Sequence, residues 1–251
     1  MRLKKGGVIS LVGAGGKTTL MFRLARELSR QGAAVLTTTT TKIYRPTRRQ
    51  SPVVIVAESA NTVLKQARTV LKHHRHISAG SRILHFQDKL KGFPPEVIDQ
   101  LWQSGIFRWI IVESDGAAGR PVKAPAVHEP VIPKCAKWVL GIVGLEAVGK
   151  PLIARWVFRP QLVSQVTGLA EGSILNESAI AGLLADPNGI LKNAPAWANR
   201  MVFLNQADSQ GRLESGRKIA RILIRRKKSG IARILIGQML YEPTVKDYYP
   251  K

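Results

Sequence analysis

A glycine-rich turn set between an apolar strand and a helix constrains this chain more than any other feature. Val8–Val12 is a short apolar run and Gly13-Ala14-Gly15-Gly16-Lys17-Thr18-Thr19 follows it. Leu20, Leu24 and Leu28 then recur at helical spacing as far as Arg30, with Gly32 as a stop signal. Glycines let a backbone fold tightly enough for successive N–H groups to converge on one anion, and a helix N-terminus adds partial positive charge there. The pattern predicts a phosphate cradle built from Gly13, Ala14, Gly15, Gly16, Lys17, Thr18 and Thr19. Lys17 would reach the β- and γ-phosphates of a nucleoside triphosphate, and the Thr18 hydroxyl would ligate Mg²⁺. The bland alternative is a structural turn with a solvated lysine, which the strand–turn–helix context disfavours.

Strand-like and helix-like runs alternate along the rest of the chain. Ala34–Thr41 and Val53–Ala57 read as strands, and a helix follows to about Lys72. Pro94–Gln103 reads as a helix entered through proline, and Trp109–Val112 as a buried strand. Gly116–Pro133 is rich in glycine and proline and reads as a long loop. Trp138–Val143, Met201–Leu204 and Ile231–Ile236 complete the strands, the last being the expected final one. The order predicts an α/β, P-loop NTPase-like fold with a mainly parallel sheet flanked by helices. No linker divides the 251 residues, so one domain spanning 1–251 is expected, with a helical insertion at 151–197.

The turn departs from G-x-x-x-x-G-K-[ST] at its first position, where Leu11 stands in place of glycine. The shortened loop resembles that of Mur ligases. A second strand in such a protein must bring a carboxylate near the metal. Trp109-Ile110-Ile111-Val112 ends in Glu113, and Asp115 lies two residues on, so both would face one Mg²⁺ if the segment is extended. One of the two would bind the metal through water while the other orients the attacking nucleophile, with Glu113 favoured for the strand-end role; the alternative is that only one faces the site and the other caps a turn. Glu113-Ser114-Asp115-Gly116 resembles the E-x-x-G third motif of metallocentre-assembly GTPases of the nickel and cobalamin systems. Asn205-Gln206-Ala207-Asp208 resembles their N-K-x-D base-reading motif with lysine replaced by Gln206, and the resemblance implies guanine recognition by Asp208. An Asn/Asp pair after a strand is also commonly a simple turn.

Charge and cysteine content bound the remainder. Lys and Arg total 39 against 16 acidic residues, a formal net charge of +23. Such a field favours polyanions and also serves solubility. The basic residues are dispersed, with the densest runs at Arg45–Arg49 and Arg217–Lys228, the second reading as an amphipathic helix. No RNA-reading aromatic signature or Cys/His finger accompanies them, so nucleic acid is a partner that composition allows and no motif supports. Cys135, the single cysteine, excludes an internal disulfide and reads as a small core residue in a reducing compartment. Met1–Lys5 with the following apolar residues resembles a secretory signal, but the run is short and glycine-broken, so a cytoplasmic protein is expected. Within the basic run around His73, His74 and His76, neighbouring cations oppose a metal site. Thr37–Thr41 holds a candidate switch threonine on a run of good strand formers. Arg120 and Lys123 are candidate anion clamps or solvated cations, and His128-Glu129 has no identifiable partner.

LVGAGGKTTL, TTTTTKIY, ESDGAAGRPVKAP with HEPVIP, and GLEAVGKPL together resemble one family, the selenium-dependent molybdenum hydroxylase accessory proteins (YqeC-like). These stretches are spread over most of the chain. The resemblance implies a role in maturing molybdenum enzymes that carry labile selenium, with a molybdenum hydroxylase or its anionic pterin as partner. The expected activity is Mg²⁺-dependent NTP hydrolysis, GTP ahead of ATP. An ATP-dependent kinase or ligase, a nucleotide-switched binding module and an NTP-regulated nucleic-acid binder are the alternatives.

Overall fold

The computed structural model describes residues 6–226 and 229–250. In chain order its elements are β1 (Gly7–Gly13), α1 (Lys17–Arg30), β2 (Val35–Thr39), β3 (Lys42–Tyr44), β4 (Val54–Val56), α2 (Ala60–Val70), β5 (His76–Gly80), β6 (Arg82–Leu84), β7 (Lys89–Lys91), α3 (Pro95–Gln103) and β8 (Trp109–Glu113). There follow β9 (Val122–Lys123), β10 (Ala136–Gly144), β11 (Val157–Phe158), α4 (Pro160–Thr167), α5 (Glu177–Ala185), β12 (Asn199–Asn205), α6 (Gln210–Arg225), β13 (Ile231–Gly237) and β14 (Val245–Pro250). The chain divides into two compact units, one of Met1–Leu11, Thr18–Gly116 and Val131–Trp138, the other of Val12–Lys17, Ala117–Pro130 and Val139–Lys251.

In the first unit the strands run β1-β8-β2-β5-β4, with every neighbouring pair parallel. β1, β8, β2 and β5 are buried along their whole length, as strands covered on both faces must be. Their covers are amphipathic helices. α1 buries Leu20, Met21, Ala25 and Leu28, α2 buries Val63 and Ala67, and α3 buries Ile98 and Leu101. Ser59 caps α2 by accepting the Thr62 N–H, and Pro95 opens α3 where its missing donor costs nothing. β5 escaped the sequence reading because His-Ile-Ser-Ala-Gly is not an apolar run. Its polar side chains are satisfied internally instead: Thr37 Oγ1 on β2 lies 3.0 Å from His76 Nε2 and 2.7 Å from Ser78 Oγ. A small antiparallel sheet, β3-β7-β6, completes the unit.

In the second unit the order is β14-β13-β12-β10, with β12 parallel to β13 and β14 antiparallel to it. β14 corrects the expectation that Ile231–Ile236 is the last strand. Val-Lys-Asp-Tyr-Tyr-Pro is an edge strand with only partly buried side chains, so it carries no apolar signal. Residues 151–197 carry β11, α4 and α5. α6 begins at the Ser209 cap and buries Gly216, Ile219, Ala220 and Leu223 on one side, which is the amphipathic helix expected from the Arg217–Lys228 run. Lys228 and the basic N-terminal residues Met1–Lys5 lie outside the described residues. Among the described residues no helix is long and apolar enough to cross a membrane.

His76 generates a prediction. Burial first, and the Arg26 charge second, lower its pKa from 6.5 to about 4. Between those values the unfolded chain takes up a proton that the folded chain refuses, so stability is full above about pH 6.5 and falls as pH drops towards 4. The loss is on the order of 3 kcal/mol. Urea midpoints measured across this window should fall for the wild type and vary less for His76→Asn; parallel curves would show that His76 does not titrate with unfolding.

Candidate functional site

The turn glycines are crowded, Gly13 and Gly15 by neighbouring backbone and Gly16 by the Asn205 side chain. Gly13, Gly15 and Gly16 have φ of 92°, 80° and 121°. A Cβ on each would lie 2.3 Å from Ile142 O, 2.3 Å from Gly144 N and 2.4 Å from Asn205 Nδ2, respectively. The turn is also tied to its surroundings. The Ala14 N–H donates to Ile142 O at 2.9 Å, and the Gly15 N–H to Arg120 O at 3.1 Å. Asn205 Nδ2 donates to Gly15 O at 2.7 Å. Two of the amides expected to face phosphate therefore hold the loop in shape. The amides entering α1, from Gly16 to Thr19, are the ones a helix start leaves without intrahelical acceptors. Lys17 is 4% exposed and folds back so that Nζ donates to Gly13 O at 2.6 Å.

The next residue belongs to a second cluster. Thr18 Oγ1 donates to Glu113 Oε2 at 2.7 Å. β8 lies beside β1 with Glu113 opposite Leu11, which is how an apolar strand delivers a carboxylate to the start of α1. Glu113 and Asp115 are both buried, at 7% and 1% exposure. Beyond Glu113 the chain is held by the Ser114 N–H bonding Leu11 O and the Val131 N–H bonding Ser114 O. Hard oxygens from a hydroxyl and a carboxylate suit Mg²⁺, which takes one or two protein carboxylates and fills its octahedron with water and phosphate. With its proton given to Glu113, Thr18 Oγ1 keeps lone pairs for a cation. The threonine run performs structural work: Thr38 Oγ1 donates to Ala79 O, Thr39 Oγ1 to Glu113 O and Thr40 Oγ1 to Val131 O.

The residues after β12 divide. Asn205 meets the turn, as described. Gln206 adopts φ 65° and donates Nε2 to Glu146 Oε1 at 2.9 Å. Asp208 is exposed and pairs with Arg212 at 2.6 Å, one helical turn on. Lys123 is not a solvated cation: it is fully buried, with Nζ 2.8 Å from Glu129 Oε2. The same oxygen accepts from Arg159 at 2.7 Å and from the Ala126 N–H at 3.2 Å. Burial pushes the Glu129 carboxyl up, but these donors outweigh it and the net shift is downward. Neither sequence neighbours nor spacing advertised this cluster. Burial, with Asp99 beside it, pushes the Cys135 thiol up.

The parallel α/β sheet, the strand–glycine turn–helix and the hydroxyl–carboxylate pair define a P-loop-like α/β fold. The family model described as YqeC protein matches residues 9–161. The chain is 38% identical over 207 residues to the uncharacterized protein YqeC of Escherichia coli (strain K12), covering 81% of this chain and 77% of that one. The chain belongs to the YqeC family. Among solved structures it is similar to FtsY of Mycoplasma mycoides, with 13% identity and a TM-score of 0.41 over 100% of this chain and 65% of that one. It is also similar to the signal recognition particle 54 kDa protein of Aeropyrum pernix K1, solved in complex with GDP, with 14% identity and a TM-score of 0.42 over 99% of this chain and 45% of that one. The chain thus spans less than two thirds of either structure.

Steric necessity at the turn separates two otherwise similar substitutions. Gly15→Ala should destabilise the protein by about 2–4 kcal/mol, since it adds a backbone collision to the left-handed strain. Gly32→Ala, at φ 83° with nothing within 4 Å, should cost only about 1–2 kcal/mol. Chemical denaturation of both variants checks this; equal losses would mean that the turn is not tightly seated.

Proposed function

We propose that the protein is a Mg²⁺-dependent nucleoside triphosphatase, GTP preferred over ATP, that serves the maturation of selenium-dependent molybdenum hydroxylases. The observation that carries the nucleotide reading is the buried Lys17 ammonium folded onto a glycine turn whose shape its neighbours enforce. Lys17 and the amides from Gly16 to Thr19 hold the triphosphate tail. Thr18 and Glu113, with Asp115, hold Mg²⁺, which supplies charge neutralisation of the phosphates when bound. Glu113 or Asp115 orients the attacking water. Guanine preference rests on Asp208, whose carboxylate exchanges its surface partner Arg212 for the base, and on Asn205, which ties the base-reading segment to the turn. The maturation role rests on the family resemblance, and a net charge of +23 suits an anionic pterin.

Calorimetry with GTP, ATP and XTP in the presence of Mg²⁺ tests the reading. The wild type should bind GTP most tightly. Lys17→Ala should weaken triphosphate binding about 10- to 100-fold, the worth of charge-assisted hydrogen bonds. Asp208→Asn should move preference from GTP towards XTP. Undiminished binding by Lys17→Ala removes the phosphate cradle, and an unmoved preference in Asp208→Asn removes guanine reading.

Turnover separates the carboxylates from the scaffold. Glu113→Gln should lower phosphate release far more than nucleotide affinity, measured side by side on one preparation. Equal losses would mark Glu113 as a purely structural group.

A further inference from the structure

The β3-β7-β6 sheet presents an arrangement that the nucleotide reading does not use. Its register sets Lys42, Lys91 and Arg82 directly across from one another, and Tyr44, Lys89 and Leu84 in the next row on the same face. The opposite face carries Ile43, Leu90 and Ile83, with Ile43 and Leu90 buried. Leu90 lies where a Cβ on Gly80 would fall, and the Gly92 and Phe93 N–H groups bond Thr41 O and Thr39 O. The sheet is therefore fixed at the C-terminal ends of β2 and β5, the edge at which ligands bind in parallel α/β proteins.

The charged face conflicts with ordinary sheet design. Like charges directly opposite on neighbouring strands are destabilising, yet one row holds three cations and none of the strand residues is acidic. Lysines deter pairing when they stand on sheet edges, but β7 is the central strand and carries both Lys89 and Lys91. A bound polyanion relieves this repulsion. Aromatic rings accompany the charge: Tyr44 is 72% exposed with Lys89 Nζ 5.3 Å from its ring centroid, and Phe86, in the turn joining β6 to β7, is fully exposed. Cations that follow a phosphate backbone beside open rings that accept bases are the pattern of sequence-tolerant single-strand recognition.

We infer that this face binds single-stranded nucleic acid. It does so independently of the nucleotide site, since it shares no residue with the turn or its carboxylates. The test is fluorescence anisotropy of a labelled single-stranded RNA of about 15 nucleotides, a length that spans such a surface. The full-length protein is titrated at several salt concentrations. Four phosphate contacts give a log–log salt slope of about −3. The K42Q/R82Q/K89Q/K91Q variant should lose most of the affinity. A variant of the same charge with exposed cations removed elsewhere, K65Q/R68Q/K72Q/R75Q, should lose little. Y44A/F86A should weaken RNA binding at least about 5-fold, the lower end of base stacking, and leave heparin binding unchanged. Lys17→Ala should bind RNA like the wild type, so failure of the nucleotide reading does not count against this surface. Equal losses from the two charge variants would reduce the binding to bulk charge and overturn the proposal. So would RNA affinity indifferent to Tyr44 and Phe86, which would leave a surface for an acidic protein partner, or no RNA binding at all.

Discussion

The rest of the second unit depends on one close approach, that of the Gly13–Gly16 backbone to Ile142, Gly144, Arg120 and Asn205. Three atoms that a side chain would strike lie within 2.4 Å of the positions a Cβ would take, so the turn cannot relax outward without breaking contacts on several sides. The same crowding propagates. Gly144 is itself crowded: a Cβ there would lie 2.8 Å from Pro121 Cβ and would push Gln206 Oε1 aside from 2.0 Å. Segments far apart in sequence, around residues 120, 142–144 and 205–206, are thus determined by a demand that originates at residues 13–16. The role of Arg120 in this arrangement is carried by its backbone carbonyl; its Nε is engaged with Ala154 O at 2.7 Å.

The other half solves a different problem, how to bury polar side chains on strands covered from both faces. Unpaired, each hydroxyl or imidazole there would cost about 1–3 kcal/mol. Thr37 meets His76 and Ser78, Thr38 meets Ala79 O, and Thr39 meets Glu113 O, so the polar groups are spent on joining β2 to β5 and to β8. The Thr39 bond matters most for the site. It fixes the main chain of Glu113 from one neighbour while Leu11 pairs with it from the other. A carboxylate whose backbone is held on both sides keeps its place as acceptor for the Thr18 hydroxyl.

What was legible in the sequence followed from physics that acts locally. β1, β8 and α1 were readable because continuous apolar runs and helical spacing report burial directly. The place of Glu113 at a strand end was readable because it closes such a run. β5 was not, since its burial is made acceptable by partners on another strand, a long-range fact. β14 was not, since an edge strand needs few apolar residues. Lys123 read as an anion clamp or a solvated cation because nothing in Arg-Pro-Val-Lys-Ala-Pro announces that it and Arg159 will converge on Glu129. The engagement of the Ala14 and Gly15 amides was equally invisible. A glycine-rich turn shows that the backbone can bend, while the carbonyls that take its amides come from residues more than a hundred positions away.

The charge is the clearest case of a global quantity hiding local ones. In the second unit many cations are neutralised pairwise: Arg159 and Lys123 share Glu129, and Arg217 bridges Glu214 and Asp247, tying α6 to β14. On the β3-β7-β6 face no strand residue supplies such a partner, and the four cations come from two stretches of sequence, 42–44 and 82–91, brought together only by antiparallel pairing. Neither stretch is the densest basic run in the chain. A helix such as α6 displays its cations in sequence order and satisfies them within a turn or two, whereas a sheet assembles charge across strands, where repulsion between neighbours is strongest. On this small sheet, anchored by the buried contact of Leu90 with the end of β5, the fold gathers cations that the sequence holds apart.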